Sequence, residues 1–283
     1  MFTLKLENAN QNEVNINDGL KYLVLDVTGL NPPSASLFTS KSPNRKGSKY
    51  NGSTLDERNV TLTIKLLGDV ERNRNALYDY IDTEEYVKIK YSNGVKNVYC
   101  EGHVQDCDIP LFTDNEIITL VVVCENPYLK DMQEITTEIS SILKQFTLSF
   151  AIGGEGVPFS TIKESNDTII FNKGAETGFV FTIRILEDIN NLVIFDATDT
   201  RKRFEINTLL EKDCIVKIDT ENSPKTIKLI KPNGDEENIL RYVAPNPTWF
   251  TLKKGNNIFG YSSKSGNTNV ELNIAFTNKY LGV

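Results

Sequence analysis

Histidine is almost absent from this 283-residue chain: His103 stands alone, and one imidazole cannot build a multi-histidine metal centre. No G-x-S-x-G or comparable nucleophile motif accompanies it. His103 shares strand parity with Tyr99 and Glu101, so it reads as a surface or hydrogen-bonded structural residue. Cysteine is scarce too, and Cys100, Cys107, Cys124 and Cys214 include no C-x-x-C pair. That spacing speaks against a zinc or disulfide framework and for reduced, mostly buried thiols. No apolar run approaches the roughly 18 residues that a membrane span needs. The opening residues, MFTLKLENAN, alternate like a strand and lack the regions of a secretion signal. The expectation is a soluble protein that folds in the cytoplasm.

Surplus basic charge is missing as well. A net charge of −7 argues against an extended phosphate-binding surface, which needs clustered Lys and Arg. Arg201-Lys202-Arg203 is the one compact basic run and reads as a solvated turn. Asp106 and Asp108 lack the glycine and closing glutamate of a calcium loop. Gly153-Gly154-Glu155-Gly156 lacks the Lys-Ser or Lys-Thr of a phosphate loop and reads as a flexible turn. No catalytic, metal or cofactor residue is assigned, and the chain is not expected to be an enzyme.

What is present is alternation with period two. Met1 to Leu6 and Glu13 to Ile16 suit an opening hairpin, followed by strands at Tyr22 to Val27 and Val60 to Leu66. Between these two strands lies a long polar stretch with Pro32, Pro33, Pro43, Gly47 and Gly52. Compact domains rarely keep a loop longer than about 12–15 residues without a functional reason. The stretch from Asn31 to Asn59 is therefore expected to be an arm ordered by a neighbouring subunit, with Asp56, Glu57 and Arg58 forming ion pairs at its root. After Gly68, Asp69 can cap a short helix whose apolar face holds Val70, Leu77 and Ile81. Tyr86 to Tyr91 and Val95 to Val104 flank Asn93-Gly94, a tight hairpin signal. The apolar run Ile117 to Cys124 suits a central strand covered on both faces.

Asp131 to Gln145 spaces its isoleucines like a helix face but is rich in Thr and Ser, so 131–144 reads as a linker, with a helix as the alternative. From Thr168 onward, strand patterns follow one another: 168–171, 179–186, 192–195, 204–207, 215–219, 226–230, 239–242, 249–253 and 270–277. Short turns between them suit an antiparallel sandwich or jelly roll. The fold class is thus mainly β, in two domains: Met1 to about Lys130, and 145–283. Trp249, the sole tryptophan, with Phe250, Phe259 and Tyr261, can either pack a sandwich core or form a stacking platform for sugars. Trp249 and Tyr261 are the candidate glycan platform.

Several of these stretches, in order, resemble the distal tail protein (Dit) family of long-tailed phages of Gram-positive bacteria. They are Gly29-Leu30 with Pro32-Pro33, then Asp56-Glu57-Arg58 before a strand, then a short helix after Gly68. Cys124-Glu125-Asn126-Pro127-Tyr128 follows, with FTLKKGNNIFG at Phe250 to Gly260 and Lys279-Tyr280-Leu281-Gly282-Val283 at the end. The resemblance implies an N-terminal β-sandwich or split-barrel ring domain and a peripheral galectin-like sandwich. It further implies a hexameric hub in the virion tail, joining the tail tube to the baseplate or tail tip. Implied partners are further copies of itself, the tail tube protein and a tail-associated lysin or fibre hub protein, with a receptor-binding protein as a further candidate. Pro32, Pro33, Asp56, Glu57 and Arg58 become candidate intersubunit residues. DNA would pass through the lumen without stable binding, and no membrane is involved. The alternative function is a carbohydrate-binding module contacting the host wall.

Overall fold

Short runs of β-branched and aromatic residues divided by Gly, Asn and Asp turns leave little room for helices, and the structure is β-rich accordingly. It is a computed structural model describing residues 2–43, 46–109, 116–138, 142–144, 160–162, 168–263 and 270–283. The chain forms two compact units, Met1–Met132 with Lys279–Val283, and Gln133–Asn278.

The first unit contains β1 (Thr3–Glu7), β2 (Glu13–Asn15), β3 (Tyr22–Thr28), β4 (Ala35–Ser40), β5 (Lys49–Leu55), β6 (Arg58–Leu66), α1 (Val70–Tyr78), β7 (Tyr86–Ser92), β8 (Asn97–Asp108), β9 (Ile117–Cys124) and the start of β10 (Leu129–Glu138). Seven of these strands pair in the order β3-β6-β9-β8-β7-β1-β2. Leu4 and Leu6 of β1 share one buried cluster with Val60, Leu62 and Ile64 of β6, so the sheet must bend over its own core. Its end strands β3 and β2 do not pair with each other, and the barrel stays open. Helix α1 starts where Asp69 accepts a bond from the Arg72 amide at 3.2 Å. It closes the core with Leu77, and Tyr22 anchors it by donating to the Asn73 carbonyl at 2.8 Å.

Strand β9 departs from expectation. It is central, but only Ile118, Leu120, Val122 and Cys124 are buried, while the alternate side chains are half-buried. A continuous apolar run need not be covered on both faces within one unit. Gly102 on β8 is a steric requirement, because a Cβ there would stand 2.1 Å from the Val123 carbonyl oxygen.

Within the expected linker, residues 131–138 belong to a strand and not to a helix. Lys130 and Asp131 pair with Tyr99 and Val98, and ladder bonds with β-branched side chains outweigh the helix-like spacing of the isoleucines. Lys279–Val283 folds with the first unit rather than the second, since the Val283 amide donates to the Leu30 carbonyl at 3.2 Å.

In the second unit, β11 (Ile142–Lys144) and β12 (Ser160–Ile162) form a two-stranded ladder. They are followed by β13 (Thr168–Asn172), β14 (Val180–Ile185), β15 (Ile189–Asp196), β16 (Asp199–Leu210), β17 (Ile215–Asp219), β18 (Thr226–Ile230), β19 (Glu236–Asn238), β20 (Gly255–Ser263) and β21 (Val270–Tyr280). Two antiparallel sheets, β19-β18-β17-β14-β21 and β13-β20-β15-β16, share one core. At its centre Phe179 and Phe181 meet edge to face at 4.6 Å, and Phe250 and Phe259 do so at 5.3 Å.

Three local expectations are corrected. Residues 240–242 form a 3-10 turn, started by an Asn238 side chain that accepts from the Leu240 amide. The strand expected at 249–253 lies further on, at Gly255–Ser263. Arg201-Lys202-Arg203 is solvated as expected, but as part of β16 and not as a turn. The glycine turn at 153–156 lies outside the described residues.

Candidate functional site

Four stretches that are distant in sequence converge on one guanidinium. Arg58 opens β6 on its inward face and is 1% exposed. Its Nε donates to the Pro127 carbonyl at 2.9 Å, one terminal nitrogen donates to the carbonyls of Gly29 and Asn31, and the other reaches the Leu281 carbonyl at 2.7 Å. Burial pulls its pKa below the usual arginine value, and four carbonyl dipoles take the place of water around the charge. Gly29 is at φ +86°, and a Cβ there would lie 2.0 Å from the Asn59 carbonyl oxygen, so glycine is required for the Gly29 carbonyl to face Arg58.

Arg58, expected among the intersubunit residues, directs its donors to backbone carbonyls of its own unit. Glu57 beside it is exposed. Asp56 is half-buried, and it accepts from Ser36 Oγ at 2.8 Å while its amide donates to the Ser34 carbonyl. It fastens the base of the β4–β5 ribbon. Pro32 is exposed, Pro33 is half-buried, and Gly282 lies so close to Pro32 that an added Cβ would stand 2.9 Å from its ring.

The long polar stretch is an ordered β-ribbon. Strands β4 and β5 pair from Ala35↔Leu55 to Ser40↔Lys49, as a two-stranded sheet of their own. Both strands are solvent-exposed, and Leu37, Phe38, Tyr50 and Leu55 are open at 65%, 53%, 59% and 37%. Sequence reading underestimated this apolar content, because the four residues are scattered among Ser, Asn and Lys. Leu37 and Leu55 lie on one face of the ribbon, in neighbouring cross-strand pairs. Phe38 is opposite Gly52 on the other face. A two-stranded hairpin is marginally stable alone in water, and exposed large apolar side chains in a cluster mark a contact surface. Beside edge strand β3 lies an apolar cleft of about 360 Å³ lined by Phe2, Val24, Leu25, Val27, Leu30, Tyr91 and Val283.

On the outer face of the sheet, Lys90 pairs with both Glu7 and Glu13, Lys5 with Glu13 at 2.9 Å, and Lys88 with Glu7 at 3.0 Å. The Lys5 and Lys90 ammonium groups hold the Glu13 carboxyl down at about 2. Burial pushes Glu7 up, but hydrogen bonds from Lys90 and Lys88 outweigh it, and its net shift is also downward.

His103 is half-exposed, bonded through Nδ1 to Glu125 at 3.0 Å and tilted against the Tyr86 ring. Cys100 and Cys124 are buried neighbours, and the Cys124 thiol together with burial pushes Cys100 well up. Among the described residues no three His, Cys, Asp or Glu side chains cluster to hold a metal ion. No described helix is long and apolar enough to cross a membrane.

Of the candidate glycan platform, Tyr261 is 4% exposed and belongs to the core, as do Phe250 and Phe259. Alternation along β20 turns these rings inward. Trp249 alone is half-buried, its ring edge-on to Phe204 at 5.0 Å, and it borders a groove with Lys202, Lys253 and Lys254.

Comparison with known proteins matches residues 174–280 to the family described as siphovirus-type tail component, C-terminal domain. No curated protein matches the sequence. Among solved structures, the SPP1 Dit (gp 19.1) protein, described as a paradigm of hub adsorption apparatus in phages infecting Gram-positive bacteria, is 14% identical. It aligns over 99% of each chain with a TM-score of 0.70. A chain of the phage P2 baseplate in its activated conformation with Ca is 13% identical over 100% of each chain, with a TM-score of 0.54. The same baseplate with Sr gives 12% identity over 98% of each chain and a TM-score of 0.51. The match to the siphovirus-type tail component C-terminal domain thus covers residues 174–280, and over its whole length the chain shares the fold of the SPP1 Dit protein.

Proposed function

We propose that this phage tail component is the ring hub at the distal end of the tail, six copies closing head to tail between the tail tube and the baseplate or tail tip. Cyclic closure satisfies a repeated heterologous interface without leaving open edges. The observation that carries the reading is the β4–β5 ribbon, with its exposed Leu37, Phe38, Tyr50 and Leu55. The apolar cleft beside β3 offers a complementary seat on a second copy, and the free edge of β3 offers backbone pairing. In this reading the first unit makes the ring, and the second is the peripheral domain. The tube protein binds one face, and a tail-associated lysin or fibre hub protein, with any receptor-binding protein, binds the other. The role is structural rather than catalytic, and DNA passes through a lumen that does not retain it.

Light scattering and electron microscopy, with and without the tube protein, test this. The expected particle is a six-fold ring with a mass that is a multiple of 31.9 kDa. A strict monomer under both conditions at high concentration would overturn the ring.

A further inference from the structure

We propose that the groove beside Trp249 binds an anionic oligosaccharide, pyranose rings carrying carboxylate or phosphodiester groups. The groove encloses about 370 Å³ between the β15–β16 hairpin, represented by Asp196, Thr198 and Lys202, and the segment from Thr248 to Phe259. That volume is within the range of small-ligand sites. Its apolar wall is Trp249, held by Phe204 on one side, with Lys225 Nζ 5.8 Å from the ring centre. Such a half-buried indole offers the flat apolar surface against which a sugar ring packs.

Charge selects the ligand. Lys202, Lys253 and Lys254 line the groove against the single carboxylate of Asp196, in a chain whose net charge is −7. Asp196 is already engaged by the amide and hydroxyl of Thr198, and Lys202 is 3.8 Å from Asp199. Lys253 and Lys254 are exposed and have no ion pair among the described residues. They occupy a turn fixed in advance: Asn257 accepts from the Lys253 amide at 2.9 Å and donates to the carbonyls of Lys253 and Gly255 at 2.8 and 3.1 Å. A pre-ordered cationic turn facing an aromatic wall loses little entropy on binding. It recognises rings and negative charge together, a combination that neither a neutral sugar nor a bare anion supplies.

This reading is independent of the ring. The test is calorimetric titration of the full chain at low salt with tetragalacturonate, its neutral methyl ester, a phosphodiester-linked hexose oligomer and inorganic tripolyphosphate. Binding of at least one anionic saccharide is expected, weakened about tenfold by Lys253→Ala with Lys254→Ala and about tenfold by Trp249→Leu. Methyl esterification should weaken tetragalacturonate similarly, and circular dichroism should report an unchanged fold for the lysine variant. The relative affinities of the two saccharides identify which anionic group is preferred. Failure of both to bind at millimolar concentration overturns the proposal. So does equal binding of the ester, or tripolyphosphate binding as tightly as the saccharides with the same response to Trp249→Leu.

Discussion

Arg58 provides a charge where a neutral core residue would leave the carbonyls of Gly29, Asn31, Pro127 and Leu281 without these partners. Each buried acceptor left unsatisfied costs about 1–3 kcal/mol. Arg58→Met should therefore destabilise the first unit by about 3 kcal/mol or more, seen as a lower denaturation midpoint in urea. Arg58→Lys should fall between the two, since one ammonium cannot reach carbonyls arranged around a planar fork. Equal midpoints for wild type and Arg58→Met would refute the keystone role. The Glu7 and Glu13 cluster makes a pH prediction at the same scale. Both carboxyls are depressed in the folded state, so their contribution is complete above the ordinary glutamate pKa of about 4.3. It is lost as pH falls toward 2, the value of Glu13. Glu13→Gln should flatten the acid limb of a stability profile between those limits and leave stability near neutrality only slightly lower, because the pair is partly solvated. These residue roles were poorly legible in the sequence. Arg58 sits between Glu57 and Asn59 in a polar stretch, and only the topology brings its four acceptors together.

At the scale of elements, what was legible had a local cause. Asn93-Gly94 announced the β7–β8 hairpin, and Asp69 announced the helix start, because turn and cap chemistry is written within a few residues. The β3–β6 pair was equally plain from its alternation. The ribbon between them was not, since its strands bury no face, and burial is what makes alternation visible. The same reason explains the misplaced strand near Trp249, where a core-packed loop looked as apolar as the strand that follows it. The ribbon's exposure makes its own prediction. Replacing Ser34 to Thr54 with a short Gly-Ser linker should leave both units folded by circular dichroism and shift the proposed ring toward smaller species in sedimentation. A finer version, Leu37→Ser with Phe38→Ser, should weaken assembly in the same direction while keeping the ribbon, because only the apolar contacts change. A ring of unchanged stability in both variants would remove the ribbon from the interface.

For the whole molecule, the two units are not two consecutive halves of the sequence, since the chain returns to the first unit for its last five residues. The return is fastened at several points: Arg58 to the Leu281 carbonyl, the Val283 amide to the Leu30 carbonyl at 3.2 Å, Lys96 to the Gly282 carbonyl at 2.5 Å, and Tyr280 to Asp131 at 3.2 Å. The sequence alone placed these residues in the second domain because strand β21 runs into them without a break in pattern. Among the family-like stretches, those at Gly29-Leu30, Arg58, Pro127 and Leu281 are the four that meet at this fastening, which supplies a physical reason for their order and spacing. Deleting Leu281, Gly282 and Val283 should therefore lower the unfolding midpoint of the first unit while leaving that of the second within error. Hydrogen exchange resolves the two: protection should fall at Gly29–Asn31 and across β6, and persist in β14 and β17. Combined with Arg58→Met, the truncation should cost less than the two changes added, because both remove the bond to Leu281. Loss of protection centred on the second unit, or strict additivity of the two changes, would show that the terminal residues do not act through Arg58.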